Sequence, residues 1–117
     1  MRARLVAADG LAAVALAALV AAPAGGAKGQ ANVFIVDNAF VRDVQRPVVR
    51  IRRGDTVTWH WRSRQSHSVS VRSGPERFAT RTRNRGTFTH RFAQAGTYRI
   101  ECSLHAPGMR MTVVVRR

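Results

Sequence analysis

The sequence is poor in acidic residues, in lysine and in cysteine. Its 117 residues include six Asp and Glu against 20 Lys and Arg, for a formal net charge of +14. The single cysteine, Cys102, excludes an internal disulfide and any site that needs two thiolates. Between residues 25 and 117 no apolar run approaches the ~20 residues of a membrane-spanning helix, and no stretch has the period of an amphipathic helix. These absences favour one small domain built from strands.

The first 24 residues differ from the rest of the chain. Arg2 and Arg4 precede a run at 11–22 that contains only Leu, Ala and Val and leads into a small-x-small pattern at 22–24. Such a run suits the core of a secretory signal and is too short to cross a bilayer. We expect a signal peptide at 1–24, cleaved after Ala24 or Ala27, a flexible mature N-terminus at 25–31 and one domain at 32–117. This predicts a periplasmic, envelope-associated or secreted protein.

The basic residues are spread through the chain rather than gathered in one segment. Without residues 1–24 the formal charge is still +13, which steers a domain toward anionic surfaces. No run of five like charges and no basic helix occurs, and aromatic residues make up 7%, so the features of a nucleic-acid-binding domain are missing. We expect an acidic protein partner or contact with anionic membrane lipid, and no nucleic acid.

Three candidate metal ligands lie within eight residues near the C-terminus. Cys102 offers a thiolate, His105 an imidazole and Met109 a thioether, a combination that suits only a soft or borderline transition metal. His67 is the best candidate for a fourth ligand, because it shares the inward phase of an alternating segment. An inward-facing histidine by itself is more often structural than a ligand. Here, however, Cys102, His105 and Met109 need one more strong ligand to complete a metal site. The four together form the ligand set of a blue copper electron-transfer site.

Other residues compete for these roles. Met111 lies two residues beyond Met109; we favour Met109 because the preceding Pro-Gly pair predicts a turn that folds it back, whereas Met111 belongs to the final strand. His60 alternates with Trp59 and Trp61, which are expected inside, so it should face outward. His90 shares the phase of inward aromatic residues and is interpreted as structural.

The strand pattern predicts an all-β fold. Short β-rich or alternating segments occur at 33–36, 48–52, 56–61, 67–71, 86–92, 98–102 and 111–116. Arg62 to Ser66 is interpreted as a polar connection, and residues 73–85, with four arginines, as a solvated surface loop. About seven short strands joined by turns indicate a two-sheet β-sandwich.

The ending Gly96-Thr-Tyr98-x3-Cys102-x2-His105-x3-Met109, followed by a last strand, resembles the cupredoxin family. The resemblance covers about Asn32 to Arg117. It implies a Greek-key β-sandwich that holds one type 1 copper ion and carries single electrons without catalysing a reaction. Its ligands would be His67, Cys102, His105 and Met109.

The same resemblance assigns roles to residues around the copper. Ser103 matches a hydroxyl residue usual in the family, whereas Ser68 stands where asparagine is common. Tyr98 is similar to the tyrosine of a sandwich corner. Electrons would pass through an apolar patch around His105. Its candidate members are Leu104, Ala106 and Pro107, with Arg110 and Arg64 at a positive rim.

Three other functions are compatible with these residues. A copper carrier or metallochaperone would use the same ligands without cycling electrons. A thiol enzyme would use Cys102 as nucleophile with His67 or His105 as base, but Met109 would then have no role. A metal-free adhesion domain would leave the Cys-His-Met spacing unexplained. We expect a monomeric electron carrier with a redox partner protein that has an acidic docking surface.

Overall fold

The computed structural model describes residues 29–105 and 108–117, which form a two-sheet β-sandwich. Its nine strands are β1 (Gln30–Val36), β2 (Ala39–Arg42), β3 (Val44–Gln45), β4 (Val48–Arg52), β5 (Thr56–His67), β6 (Ser70–Ser73), β7 (Arg83–Arg91), β8 (Gly96–Glu101) and β9 (Arg110–Arg116). The expected all-β sandwich is confirmed. Two strands more than expected occur because the segment after β1 folds back as the short strands β2 and β3.

The strands divide into a five-stranded and a four-stranded sheet. The first has the order β3-β2-β1-β5-β7 and the second β4-β9-β8-β6. Two neighbouring pairs, β1 with β5 and β4 with β9, run parallel, and the others antiparallel. Parallel neighbours cannot be joined by a tight hairpin. The chain therefore crosses between the sheets and returns, which brings segments distant in sequence to the same end of the sandwich.

The core follows the alternation of the sequence. Trp59 and Val57 are fully buried and Trp61 is nearly so, as expected for one face of β5. Tyr98 is also fully buried, and its hydroxyl donates a 2.7 Å hydrogen bond to the Gln94 carbonyl four residues upstream. This is the predicted corner, and it ties the start of β8 to the loop before it.

Two boundaries differ from the sequence prediction. Arg62 to Ser66 is not a connection, because β5 continues through it to His67. Its pairing with β7 shifts between Arg62 and His67, which marks a bulge. His67 therefore ends a strand instead of starting one. The polar composition of a bulged, exposed segment is what concealed this continuation.

The first strand begins two residues before position 32, where the sequence pattern predicts the start of the domain. Gln30 already pairs with Thr56 and Ala31 is buried, while the Gly29 amide donates to Asp55 Oδ1 at 2.7 Å. Strand β1 thus includes residues 30 and 31, which the sequence pattern assigns to a flexible N-terminus. The predicted signal peptide lies outside the described residues. Within 29–105 and 108–117 there is no helix of the length and apolarity needed to cross a bilayer.

Candidate metal centre

His67 is held at the end of β5 by contacts to its backbone and to the bulge before it. The Trp61 indole donates a buried 2.9 Å hydrogen bond to the His67 carbonyl. Asp37, in the turn between β1 and β2, accepts hydrogen bonds at Oδ1 from the bulge amides of Arg64 at 3.0 Å and Gln65 at 3.2 Å. Bulges commonly redirect a side chain beside a functional site. This one carries the fully buried His67 ring toward the end of the second sheet.

Cys102 follows β8 directly and is fully buried. The loop that begins with it is closed by its own backbone: the His105 amide donates to the Cys102 carbonyl at 3.1 Å, and the Met109 amide to the His105 carbonyl at 3.1 Å. The Cys102 amide in turn donates to the Met109 carbonyl at 3.0 Å. These bonds keep the three side chains of the loop at one end of the sandwich.

Three donor atoms from the two stretches form a compact triangle. His67 Nδ1 lies 3.2 Å from His105 Nδ1, and Cys102 Sγ lies 3.4 Å from His105 Nδ1 and 4.0 Å from His67 Nδ1. The point equidistant from the three atoms is about 2.1 Å from each, close to the 2.0–2.3 Å of metal bonds to imidazole nitrogen and thiolate sulfur in proteins. The residues present therefore fit a bound metal ion.

The two methionines have different environments. Met111 is buried in β9, and its sulfur accepts a hydrogen bond from the Trp59 indole at 3.3 Å. Met109 precedes β9, is 2% exposed, and lines a cavity together with His105. Met111 is thus held by the core, while Met109 belongs to the loop of Cys102 and His105.

Electrostatics keep His67 neutral and ready to bind a metal. Burial lowers the pKa of His67 below its ordinary value, and the neighbouring His105 lowers it further, against an opposing effect of Asp37. The second ring nitrogen, Nε2, is buried without a hydrogen-bond partner among the described residues and lies 3.8 Å from Asp37 Oδ1. Hydrogen bonds from the Gln65 and Arg64 amides lower the pKa of the exposed Asp37 carboxyl. An ionised carboxylate therefore faces the side of the ring opposite the donor triangle.

Serine side chains join the two ligand-bearing stretches. The Ser68 amide donates to Cys102 Sγ at 3.4 Å. Ser68 Oγ accepts the Ser103 amide at 3.0 Å and lies 2.9 Å from Ser103 Oγ. A buried serine hydroxyl thus ties the residue after His67 to the residue after Cys102.

The other histidines stand apart from this centre. His60 Nε2 is hydrogen-bonded to Asn32 Oδ1 at 2.8 Å, on the outer side of β5 as expected. His90 Nε2 is hydrogen-bonded to Glu76 Oε1 at 2.9 Å, which agrees with its predicted structural role. Neither is grouped with other possible ligands within the described residues, where the one such group is His67, Cys102 and His105.

The predicted surface around the centre is only partly described. Leu104 is 57% exposed, consistent with an apolar patch beside His105. Arg64 and Arg110 are exposed. Ala106 and Pro107 lie outside the described residues.

Sequence reasoning missed the residues that support the site. The sequence pattern assigns no role to Asp37 and places Trp61 only in the core. Asp37 and Asn38 are both residue types common in turns, and their position after a β-rich segment could have placed a turn there. Nothing in the sequence indicated that this turn would reach the bulge before His67, because that contact depends on the parallel pairing of β1 with β5.

No family model matches the chain, but known proteins do. It is 37% identical to amicyanin-alpha of Methylorubrum extorquens over 109 residues, 90% of this chain and 84% of that one. A solved structure of a reduced Cu(I) form of an amicyanin variant aligns with a TM-score of 0.63 and 30% identity, over 77% of this chain and 85% of that one. A copper-containing nitrite reductase from Thermus scotoductus aligns with a TM-score of 0.61 and 25% identity, but the match spans only 22% of that enzyme.

Sequence, fold and donor set agree. The similarity to amicyanin-alpha extends over most of both chains. The two-sheet sandwich brings one thiolate and two imidazoles together, and the aligned amicyanin structure is a Cu(I) form. The chain therefore belongs to the cupredoxin family, as an amicyanin-like type 1 copper protein that carries electrons and is not an enzyme.

Proposed function

We propose that His67, Cys102 and His105 bind one copper ion through Nδ1, Sγ and Nδ1, and that Met109 is the weak axial ligand. The observation that carries this assignment is the triangle of donor atoms, with edges of 3.2, 3.4 and 4.0 Å. Two other observations support Met109. Backbone hydrogen bonds join Met109 to Cys102 and His105 within one loop, whereas the sulfur of Met111 already accepts a hydrogen bond from the Trp59 indole.

When bound, copper supplies the one-electron Cu(I)/Cu(II) couple, and the protein keeps the site nearly unchanged during transfer. Burial of Cys102 and His67 excludes water from the thiolate and one imidazole. The Ser68 amide stabilises the negative charge on the thiolate. The hydrogen bonds of the Trp61 indole and of Ser68 fix the stretch that follows the bulge. Little reorganisation is then needed when an electron enters or leaves.

We also propose the setting in which the carrier works. The apolar run at 11–22 supports export with removal of residues 1–24, and hence a place in the periplasm or cell envelope or outside the cell. The formal charge of +13 that remains without residues 1–24 supports an acidic docking surface on the redox partner. Similarity to an electron carrier favours transfer over copper delivery as the role of the site.

The test is a titration of the mature domain with Cu(II), followed by its visible absorption spectrum, beside a Cys102→Ser variant. We expect an intense band in the red that saturates at one copper per chain, bleaches with reductant and is missing in the variant. Reversible voltammetry of the copper-loaded protein then separates an electron carrier from a copper carrier. A protein that stays colourless, or whose band survives in Cys102→Ser, would disprove the ligand assignment.

A further inference from the structure

The exposed side of the second sheet contains a concave surface lined by four arginines. A cavity of about 690 Å³, here called the arginine groove, lies over β6, β8 and β9. Its lining includes Arg46, Arg72, Arg99 and Arg110. All four are exposed. Arg99 and Arg110 come from the neighbouring strands β8 and β9, Arg72 from β6, and Arg46 from the turn before β4. Residues far apart in sequence thus present one kind of charge to one cavity.

The positive charge of the groove is poorly compensated. Among the described residues that line it, the one carboxylate is that of Glu101, whose Oε1 lies 3.5 Å from Arg72 Nη1. Across the residues that the structure describes, Arg46, Arg99 and Arg110 form no ion pair with a carboxylate. Guanidinium groups bind carboxylates in a planar, two-bond geometry, and like charges around a concave surface strengthen the local field. The groove is therefore suited to an anionic ligand with more than one carboxylate.

The groove is continuous with the metal centre. A second cavity, of about 360 Å³, is lined by His105 and Met109 and shares Arg46 and Arg110 with the groove. A partner seated in the groove would therefore also cover the surface beside His105. This shared rim favours a protein that exchanges electrons with the centre over a ligand unrelated to it.

We propose that the arginine groove is the docking site for an acidic segment, rich in Asp or Glu, of the redox partner protein. The proposal rests on the electron-carrier function and adds where the partner binds and by which chemistry. A concave site fits a protruding peptide segment better than the flat charge of a lipid surface. The groove then orients the partner, while the apolar surface near His105 serves as the contact for transfer.

The test uses the copper-loaded mature domain and a hexaglutamate peptide as probe, with binding measured by calorimetry at low salt. The groove variant is Arg46→Gln/Arg99→Gln. The matched control is Arg81→Gln/Arg85→Gln, which removes the same charge from exposed residues before and on β7. We expect the groove variant to weaken binding at least about tenfold and the control less than about twofold, with the parent's affinity falling as salt is added.

Two results would overturn the proposal. Equal weakening in both variants would show that only net charge matters. Unchanged peptide binding in the groove variant, together with lost binding to vesicles containing phosphatidylglycerol, would assign the groove to lipid. The red absorption band of each sample reports whether the copper site is intact. Peptide binding is measured separately, by calorimetry. Failure of the band would therefore count against the electron-carrier function, and failure of the groove variant against the docking site.

Discussion

The Asp37 carboxylate and the His67 imidazole face each other across 3.8 Å, although 30 residues separate them in sequence. The same carboxylate oxygen accepts two amide hydrogen bonds from the bulge that leads to His67. Asp37 thus acts on His67 in two ways, through the charge beside the ring and through the backbone that carries it. Residues placed behind a ligating histidine fix its ring orientation and tautomer.

Replacement of Asp37 by Ala should weaken copper binding by about 10- to 100-fold, the usual effect of losing such a supporting residue. The comparison variant is Asp37→Asn, which keeps an acceptor for the bulge amides but removes the charge. Competition with a copper chelator measures the affinity, and the reduction potential measures the effect on the ring. If affinity and potential were unchanged in Asp37→Ala, Asp37 would have no positioning role.

The two methionines should respond differently to replacement by leucine. Met109→Leu is expected to change the visible spectrum and raise the reduction potential, because it removes the proposed axial sulfur. Met111→Leu should leave the spectrum unchanged but lower the free energy of unfolding by about 1–3 kcal/mol, since the buried Trp59 indole loses its acceptor. Spectra and chemical denaturation of both variants decide the matter. A spectral change confined to Met111→Leu would reverse the assignment.

The Glu76 carboxylate should make the stability of the domain sensitive to acid. It accepts hydrogen bonds from the Ala93 and Gln94 amides and from His90, and it shares the Tyr98 hydroxyl proton with the Gln94 carbonyl. Burial alone would raise the pKa of Glu76, but these bonds together hold it below the ordinary 4.5. A lowered folded-state pKa means that the stabilisation is complete above about pH 4.5 and is lost as the pH falls through the folded value.

Glu76→Gln should therefore lower the free energy of unfolding at pH 7 by about 1.5–3 kcal/mol. On acidification the variant should lose less of its stability than the parent. Unfolding of both proteins at pH 7 and pH 4 measures this. Tyr98→Phe is the control, because it removes one of the donors and keeps the titrating carboxylate. Parallel pH profiles for the parent and Glu76→Gln would contradict the prediction.

Ser68→Ala should lower the unfolding free energy of the copper-free protein by about 1–2 kcal/mol, because the buried hydroxyl that accepts the Ser103 amide is lost. The hydrogen bond from the Ser68 backbone amide to Cys102 Sγ does not involve the Ser68 side chain. The red absorption band should therefore persist. Replacing Ser70, which is less buried, by Ala provides a comparison within the same region. Loss of the band in Ser68→Ala would show that the hydroxyl has a direct role in binding copper.

Much of the fold and of the donor set was predictable, because both rest on local patterns. Alternation placed Trp59 and Trp61 inside, and the spacing of Cys102, His105 and Met109 falls within one short loop. The bulge and the approach of Asp37 to His67 were not predictable, because they depend on which strands pair and in which direction. A polar segment such as 62–66 is consistent with either a loop or a bulged strand, and only the partner strand β7 decides between them.

The internal position of β9 has a consequence for how the chain reaches its folded state. β9 lies between β4 and β8, and its pairing with β4 joins residues 64 positions apart, from Val48 to Thr112. A chain that emerges from its N-terminus onward cannot complete the second sheet until its last residues are available. Contacts of such long range slow folding, so completion of the second sheet would be a late step. The copper ligands would then come together as one of the final events.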